Sequence, residues 1–178
     1  MSNEPLKRAT PQERAQILVL WKIVNGTPDV LKNLPRWVLW RIEYRGNGEK
    51  IKVPYQTKTK AHADTTDFTT WSTFDEAVQA FNEGRYDGVG LVLGNGITGI
   101  DLDHAIDDAG NVKPWALRII QTMNSYCEIS PSGHGLHILI FGKLPNSVKH
   151  TKSMPDGGKI EVYSDKRYFT ISGAVFHV

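Results

Sequence analysis

The sequence predicts an α+β fold, and two observations carry the prediction. Runs of four to eight β-branched and aromatic residues, closed by Gly, Asn or Pro, recur from Trp37 to Ser172. Amphipathic stretches with helix-start and helix-stop residues interrupt them at intervals. Together they describe a mostly antiparallel sheet with helices on one side.

The first nine residues are polar and read as an unstructured start. Thr10-Pro11-Gln12-Glu13 then has the form of a capping box with Pro in the first turn. Ile17, Leu18, Leu20, Trp21 and Val24 follow at helical spacing up to the stop at Asn25-Gly26, so this short helix is expected to pack on the rest. Trp37–Tyr44 reads as a strand, Gly46-Asn47-Gly48 as a hairpin turn, and Lys50–Tyr55 as the return strand. Pro54 lacks an N–H, which places that strand at an edge. After a polar loop from Gln56 to Thr70, Ser72-Thr73-Phe74-Asp75 starts a helix that runs through Phe81 and ends at Gly84. Strands are expected at Gly88–Leu93 and Thr98–Asp103, a helix at Pro114–Tyr126, and strands near Glu128-Ile129, at Leu136–Phe141, at Lys159–Tyr163 and at Tyr168–Ser172.

The chain has 178 residues, 40% hydrophobic and 22% charged, which suits one domain with a normal core. A tail and helix over residues 1–30 and a domain over 31–178 are the expected divisions. A net charge of +2 does not by itself argue for nucleic acid. The single cysteine, Cys127, excludes an internal disulfide and a cysteine-based zinc knuckle. No apolar run reaches the about 20 residues a membrane helix needs, and the polar start is not a secretory signal. The expected location is cytoplasmic.

Three groups of residues carry chemistry. Asp101 and Asp103 lie two apart on a strand, so both carboxylates point to one face while Leu102 points into the core. Like charges so close repel unless a cation holds both, and Mg²⁺ or Mn²⁺ takes carboxylate oxygens well. An Asp-x-Asp pair alone is also common in ordinary loops. The second group is Ser132-Gly133-His134-Gly135-Leu136-His137. Its glycines let the backbone approach an anion, and Ser132 and His137 can donate to a phosphate; the alternative is a structural turn with a satisfied histidine. Third comes Glu161, between Ile160 and Val162, which would complete a divalent-metal site or else face solvent. Arg167 stands between a phosphate contact and a surface turn. Lys52, Lys143, Lys149 and Lys152, with stacking from Arg36, Trp37 and Tyr55, are candidates for holding single-stranded DNA, against an ordinary solvated surface.

The order of these groups resembles the three motifs of the archaeo-eukaryotic primase superfamily. More closely, Leu34–Trp40, Lys52–Tyr55, Gly99–His104, Glu128–Gly133, Gly142–Pro145 and Arg167–Gly173 are similar to the N-terminal primase-polymerase domains of phage and plasmid replication proteins. The resemblance covers about Leu34 to Phe176. It implies an RRM-like antiparallel sheet bearing the catalytic residues, with an N-terminal α/β lobe beside it. It also implies that Asp101, Asp103 and Glu161 bind two Mg²⁺ or Mn²⁺ ions, without zinc. Ser132, Gly133, Gly135, His137 and Arg167 would hold the incoming nucleotide. The implied activity is DNA primase and polymerase, a nucleotidyl transfer on single-stranded template and primer with dNTP or NTP, in company with a replicative helicase. The few residues after Ser172 leave no place for the helical domain that assists initiation, so extension is better supported than priming. Two rivals remain. A non-catalytic single-strand or nucleotide-binding module would keep the fold without the chemistry. A rolling-circle-type nuclease would need a His-hydrophobe-His pair, and His134-Gly135-Leu136-His137 lacks that spacing.

Overall fold

The computed structural model describes residues 10–145 and 150–178. Helix α1 (Pro11–Gly26) starts as its sequence requires: Thr10 Oγ1 accepts from Glu13 N at 3.2 Å and Glu13 Oε2 accepts from Thr10 N at 2.7 Å. A four-residue α2 (Asp29–Lys32) leads into β1 (Trp37–Tyr44) and β2 (Lys50–Tyr55). After a 3₁₀ turn at Phe68–Thr70 comes α3 (Phe74–Asn82), capped by Thr73 and Glu76 in the same reciprocal way. Then follow β3 (Gly88–Val92), β4 (Ile97–Asp103), α4 (Pro114–Met123), β5 (Tyr126–Ile129), β6 (Leu136–Phe141), β7 (Thr151–Ser153), β8 (Lys159–Tyr163) and β9 (Tyr168–Ile171). The sequence places Tyr126 at the end of α4. The helix stops earlier because Asn124 takes a left-handed conformation (φ 42°) and closes the last turn onto Ile120 O. Strand β7 and helix α2 escaped the pattern reading because three exposed residues and a single turn carry no periodicity.

The strands form two sheets, both antiparallel. The first has the order β2-β1-β3-β9 and the second β5-β6-β4-β8-β7. The chain crosses between them twice, from β3 to β4 and from β8 to β9. Leu93 N donates to Arg167 O at 2.9 Å and ties the crossings together. Pro54 sits on β2, an edge strand, as its missing donor demands.

Helix α3 packs on β1 and β3, and α4 on β6. One core lies between α3 and the first sheet and reaches the second through Ile97 and Leu139. At its centre Trp37 is fully buried, with the Phe74 ring edge-on at 4.8 Å. The other core fills the space under α4: Ile100, Leu102, Leu136 and Ile138 meet Trp115, Ala116 and Ile120. Apolar side chains of β4 and β6 therefore point at α4, and their alternate residues face the first sheet.

Helix α1 does not pack along its length as expected. Ile23 is fully buried and Leu20 partly so, while Ile17, Leu18, Trp21 and Val24 stay exposed. Its C-terminal end docks backbone to backbone: a Cβ on Gly173 would lie 2.1 Å from Lys22 O, and one on Gly26 would lie 2.0 Å from Gly173 O. Only paired glycines permit this approach. Among the described residues no helix is long and apolar enough to cross a membrane.

Candidate active site

One register row crosses all five strands of the second sheet. Glu128 on β5 pairs with His137 on β6, His137 with Asp101 on β4, Asp101 with Glu161 on β8, and Glu161 with Thr151 on β7. Directly opposed residues share a face, with Cβ atoms about 5 Å apart. The row thus brings an acid, an imidazole and two more acids side by side on the face turned away from α4. Asp103, two residues beyond Asp101, joins them from the same strand face.

Asp101, Asp103 and Glu161 each offer a carboxylate oxygen within 4.8 Å of the others, all half-buried. Such a grouping costs energy without a cation. Burial pushes the Asp101 carboxyl up to about 6, and the Asp103 and Glu161 charges add to the rise, against His137 and Lys52. Burial would raise Glu161 as well. Hydrogen bonds from Lys159 Nζ (2.7 Å) and Tyr163 Oη (3.0 Å) outweigh that and hold it below the usual range. The cluster therefore combines one carboxyl that gives up its proton reluctantly with one kept ionised by its neighbours. Three carboxylates so placed could hold a divalent metal ion.

The cluster opens into a cleft of about 590 Å³, lined by Asp101, His137, Glu161, Lys52, Lys166 and Arg167 among others. Lys52 reaches it from β2 of the first sheet, across from the acids. Its ammonium lies over the Trp40 ring at 5.4 Å. Although the side chain is solvent-accessible, the crowding walls lower its pKa, and Asp101 and Asp103 pull the other way. Arg167 lies over the Tyr163 ring at 4.9 Å. His137 is almost fully buried, with Nε2 3.8 Å from Asp101 Oδ1 and the Phe169 ring at 5.0 Å. The cleft thus sets acids against the cationic side chains of Lys52, Lys166 and Arg167.

No family model matches the chain. Over 149 residues it is 39% identical to the DNA primase-polymerase of Nitratiruptor phage NrS-1, an alignment covering 82% of this chain and 20% of that protein. This chain is a primase-polymerase-type domain. It spans about a fifth of the length of that relative.

Within the primase-polymerase-type domain, the remaining sequence candidates fall in several places. Ser132, Gly133 and Gly135 belong to the loop between β5 and β6, beside the carboxylate end of β4. Gly133 has φ +80°, and Gly135 lies against Leu102 O. Ser132 Oγ caps His134 N at 3.3 Å and contacts Ser130 Oγ at 2.9 Å. These residues flank the acids without lining the cleft. Lys143 follows the end of β6 remote from His137, because Phe141 pairs with Ile97. Lys152 lies with Trp115, Arg118 and Ile160 on the α4 side of the sheet, opposite the acids. Lys149 lies outside the described residues. The stacking trio needs correction: Trp37 is fully buried, Tyr55 nearly so, and Arg36 is buried with its guanidinium donating to Gly94 O (2.8 Å) and Leu93 O (3.1 Å). Trp37, on the inner strand β1, and Tyr55, at the end of β2, belong to the core beneath α3, and Arg36 is engaged by backbone carbonyls just before β1.

Two residues of the site carried no functional reading in the sequence. Lys166 lines the cleft from the β8–β9 crossing, next to Arg167 in the chain. Glu128 stands at the end of the register row. Its signal was an acid between Cys127 and Ile129, which means little until the strand register is known.

Proposed function

We propose that this domain catalyses templated nucleotidyl transfer on single-stranded DNA. A primer 3′-hydroxyl oxygen bonds to the α-phosphorus of a bound nucleoside triphosphate, and the bond to pyrophosphate breaks. The observation that carries the proposal is the convergence of Asp101, Asp103 and Glu161, two of them lining a cleft walled by Lys52, Lys166 and Arg167. The three carboxylates would hold Mg²⁺ or Mn²⁺, as one ion or as the pair that such chemistry uses. Bound there, the metal supplies Lewis-acid stabilisation of the oxygens at the transferred phosphorus. Lys52, Lys166 and Arg167 offset the triphosphate charge, and His137 turns Nε2 toward the same space. The Ser132–Gly135 loop, at the carboxylate end of β4 but outside the cleft lining, would have to move to reach the nucleotide.

The second sheet supports an RRM-like reading of this half. It is built as strand, helix, hairpin and strand: β4, α4, β5 with β6, then β8. Strand β4 is central between β6 and β8, and α4 covers one face. We take residues 31–178 as the catalytic domain, with 1–30 as a tail and docked helix.

The test is incorporation of labelled dNTPs and NTPs on single-stranded DNA, with and without primer and with Mg²⁺ or Mn²⁺. Wild type should extend the primer, and Asp101→Ala with Asp103→Ala should abolish incorporation while the fold remains. Incorporation that survives in the double variant would refute the assignment. Nucleotide binding without incorporation in the wild type would make this a binding module.

A further inference from the structure

Glu128 is fully buried and lies outside the acid cluster. A carboxylate in a core is costly unless donors surround it. Four do. Tyr126 Oη donates to Oε2 at 2.7 Å, Gly173 N to Oε2 at 2.9 Å and Ser172 N to Oε1 at 3.0 Å. The fourth is His137, whose Nδ1 lies 3.4 Å from Oε1.

Backbone N–H groups and the Tyr126 hydroxyl meet Glu128 as donors, so the carboxylate acts as an acceptor throughout. Its contact with His137 then requires the proton to be on Nδ1. That choice leaves Nε2 facing Asp101, 3.8 Å away, and the cleft, where it donates to a phosphate when it carries a proton as well. Phe169 closes one flank of the ring at 5.0 Å. An apolar side chain would fill this core site at less cost. What it could not do is hold a neighbouring imidazole in one tautomer and one orientation.

We propose that Glu128 is a positioning residue for His137: its buried carboxylate holds the Nδ1 proton and so aims Nε2 at the nucleotide end of the cleft. The inference rests on the nucleotidyl-transfer reading of that cleft. It acts through His137, as outer carboxylates orient ligand histidines elsewhere. Since Ser172 and Gly173 supply two of the donors and Gly173 abuts α1, the same hydrogen bonds tie the docked helix to the site.

The experiment compares wild type, Glu128→Gln and Tyr126→Phe in the full chain. It reads nitrogen-15 resonances of the His137 ring, KM and kcat for dNTP in primer extension, and thermal stability. Wild type should show a protonated Nδ1. Glu128→Gln should lose that signature and raise KM on the order of 10-fold, with a smaller change in kcat. Tyr126→Phe removes a donor that does not touch His137, so it should lower stability while keeping the His137 resonances and KM. Unchanged resonances and KM in Glu128→Gln would overturn the proposal, as would a fall in stability alone. If that variant does not fold, an unprotonated Nδ1 in the wild type overturns it equally. The resonances need no turnover. A wild type without incorporation would therefore defeat the functional reading while leaving this one tested.

Discussion

Asp101 holds the centre of the site, flanked by His137 on one strand and Glu161 on the other, and burial keeps its pKa near 6. The folded chain therefore takes up this proton more readily than the unfolded chain. The stabilisation is fully present below the ordinary Asp value and is lost as pH rises through about 6. Without a cation, ionised Asp101 costs stability at pH 7.5. Asp101→Asn should then be more stable than wild type by on the order of 2 kcal/mol at that pH, while making no product. The gain should shrink toward pH 4, and denaturant titrations at both values read it. A loss of stability at pH 7.5 would mean that the carboxylate is better compensated than its neighbours suggest. Lys52 separates two roles at the same scale. If it holds the triphosphate, Lys52→Ala should raise KM for nucleotide several-fold and leave single-strand affinity unchanged. The reverse result would return Lys52 to the DNA-holding surface.

At the scale of elements, the strands do the placing and the turns do the aiming. The row from Glu128 to Thr151 exists because β5, β6, β4, β8 and β7 hold one register, and a slip by one residue would turn every member to the α4 face. The docking of α1 is as strict. Gly173 has φ +65°, and a Cβ there would collide with Lys22 O. Gly173→Val should therefore cost more than about 3 kcal/mol, read as a lowered midpoint in denaturant. Because Gly173 N also donates to Glu128, KM for nucleotide should rise in whatever fraction still folds. A neutral Gly173→Val would show that α1 can shift without consequence. The helix periodicity of α1 was plain in the sequence; that most of its apolar residues would stay exposed was not, since periodicity records a stripe and not what covers it.

For the molecule as a whole, the cleft depends on both sheets. Lys52 comes from β2 and the acids from β4 and β8, and the two crossings between sheets are joined by the Leu93–Arg167 hydrogen bond. A cation bound to the acid cluster stabilises the folded state alone. At a concentration about 100 times its Kd it should add about 2.7 kcal/mol. Mn²⁺ should thus raise Tm of the wild type at pH 7.5, less at pH 5 where Asp101 holds its proton, and not at all in Asp101→Asn with Asp103→Asn. An equal shift in that double variant would place the ion elsewhere.

The sequence by itself determined most of the elements, though not β7 or α2, and marked the three acids as candidates. Strand periodicity of two puts Asp101 and Asp103 on one face, and caps such as Thr10 with Glu13 or Thr73 with Glu76 are satisfied within four residues. Such signals are local, so they can be read along the chain. Only the tertiary structure decided that β9 returns to β3 and the strands form two sheets, that Trp37 and Tyr55 are core rather than a stacking surface, and that Lys52 faces the acids. It also decided that Glu128 lies beside His137. Each of these depends on pairing between residues far apart in sequence, which is settled by burial of the whole apolar surface and by register across strands. No single segment holds that information.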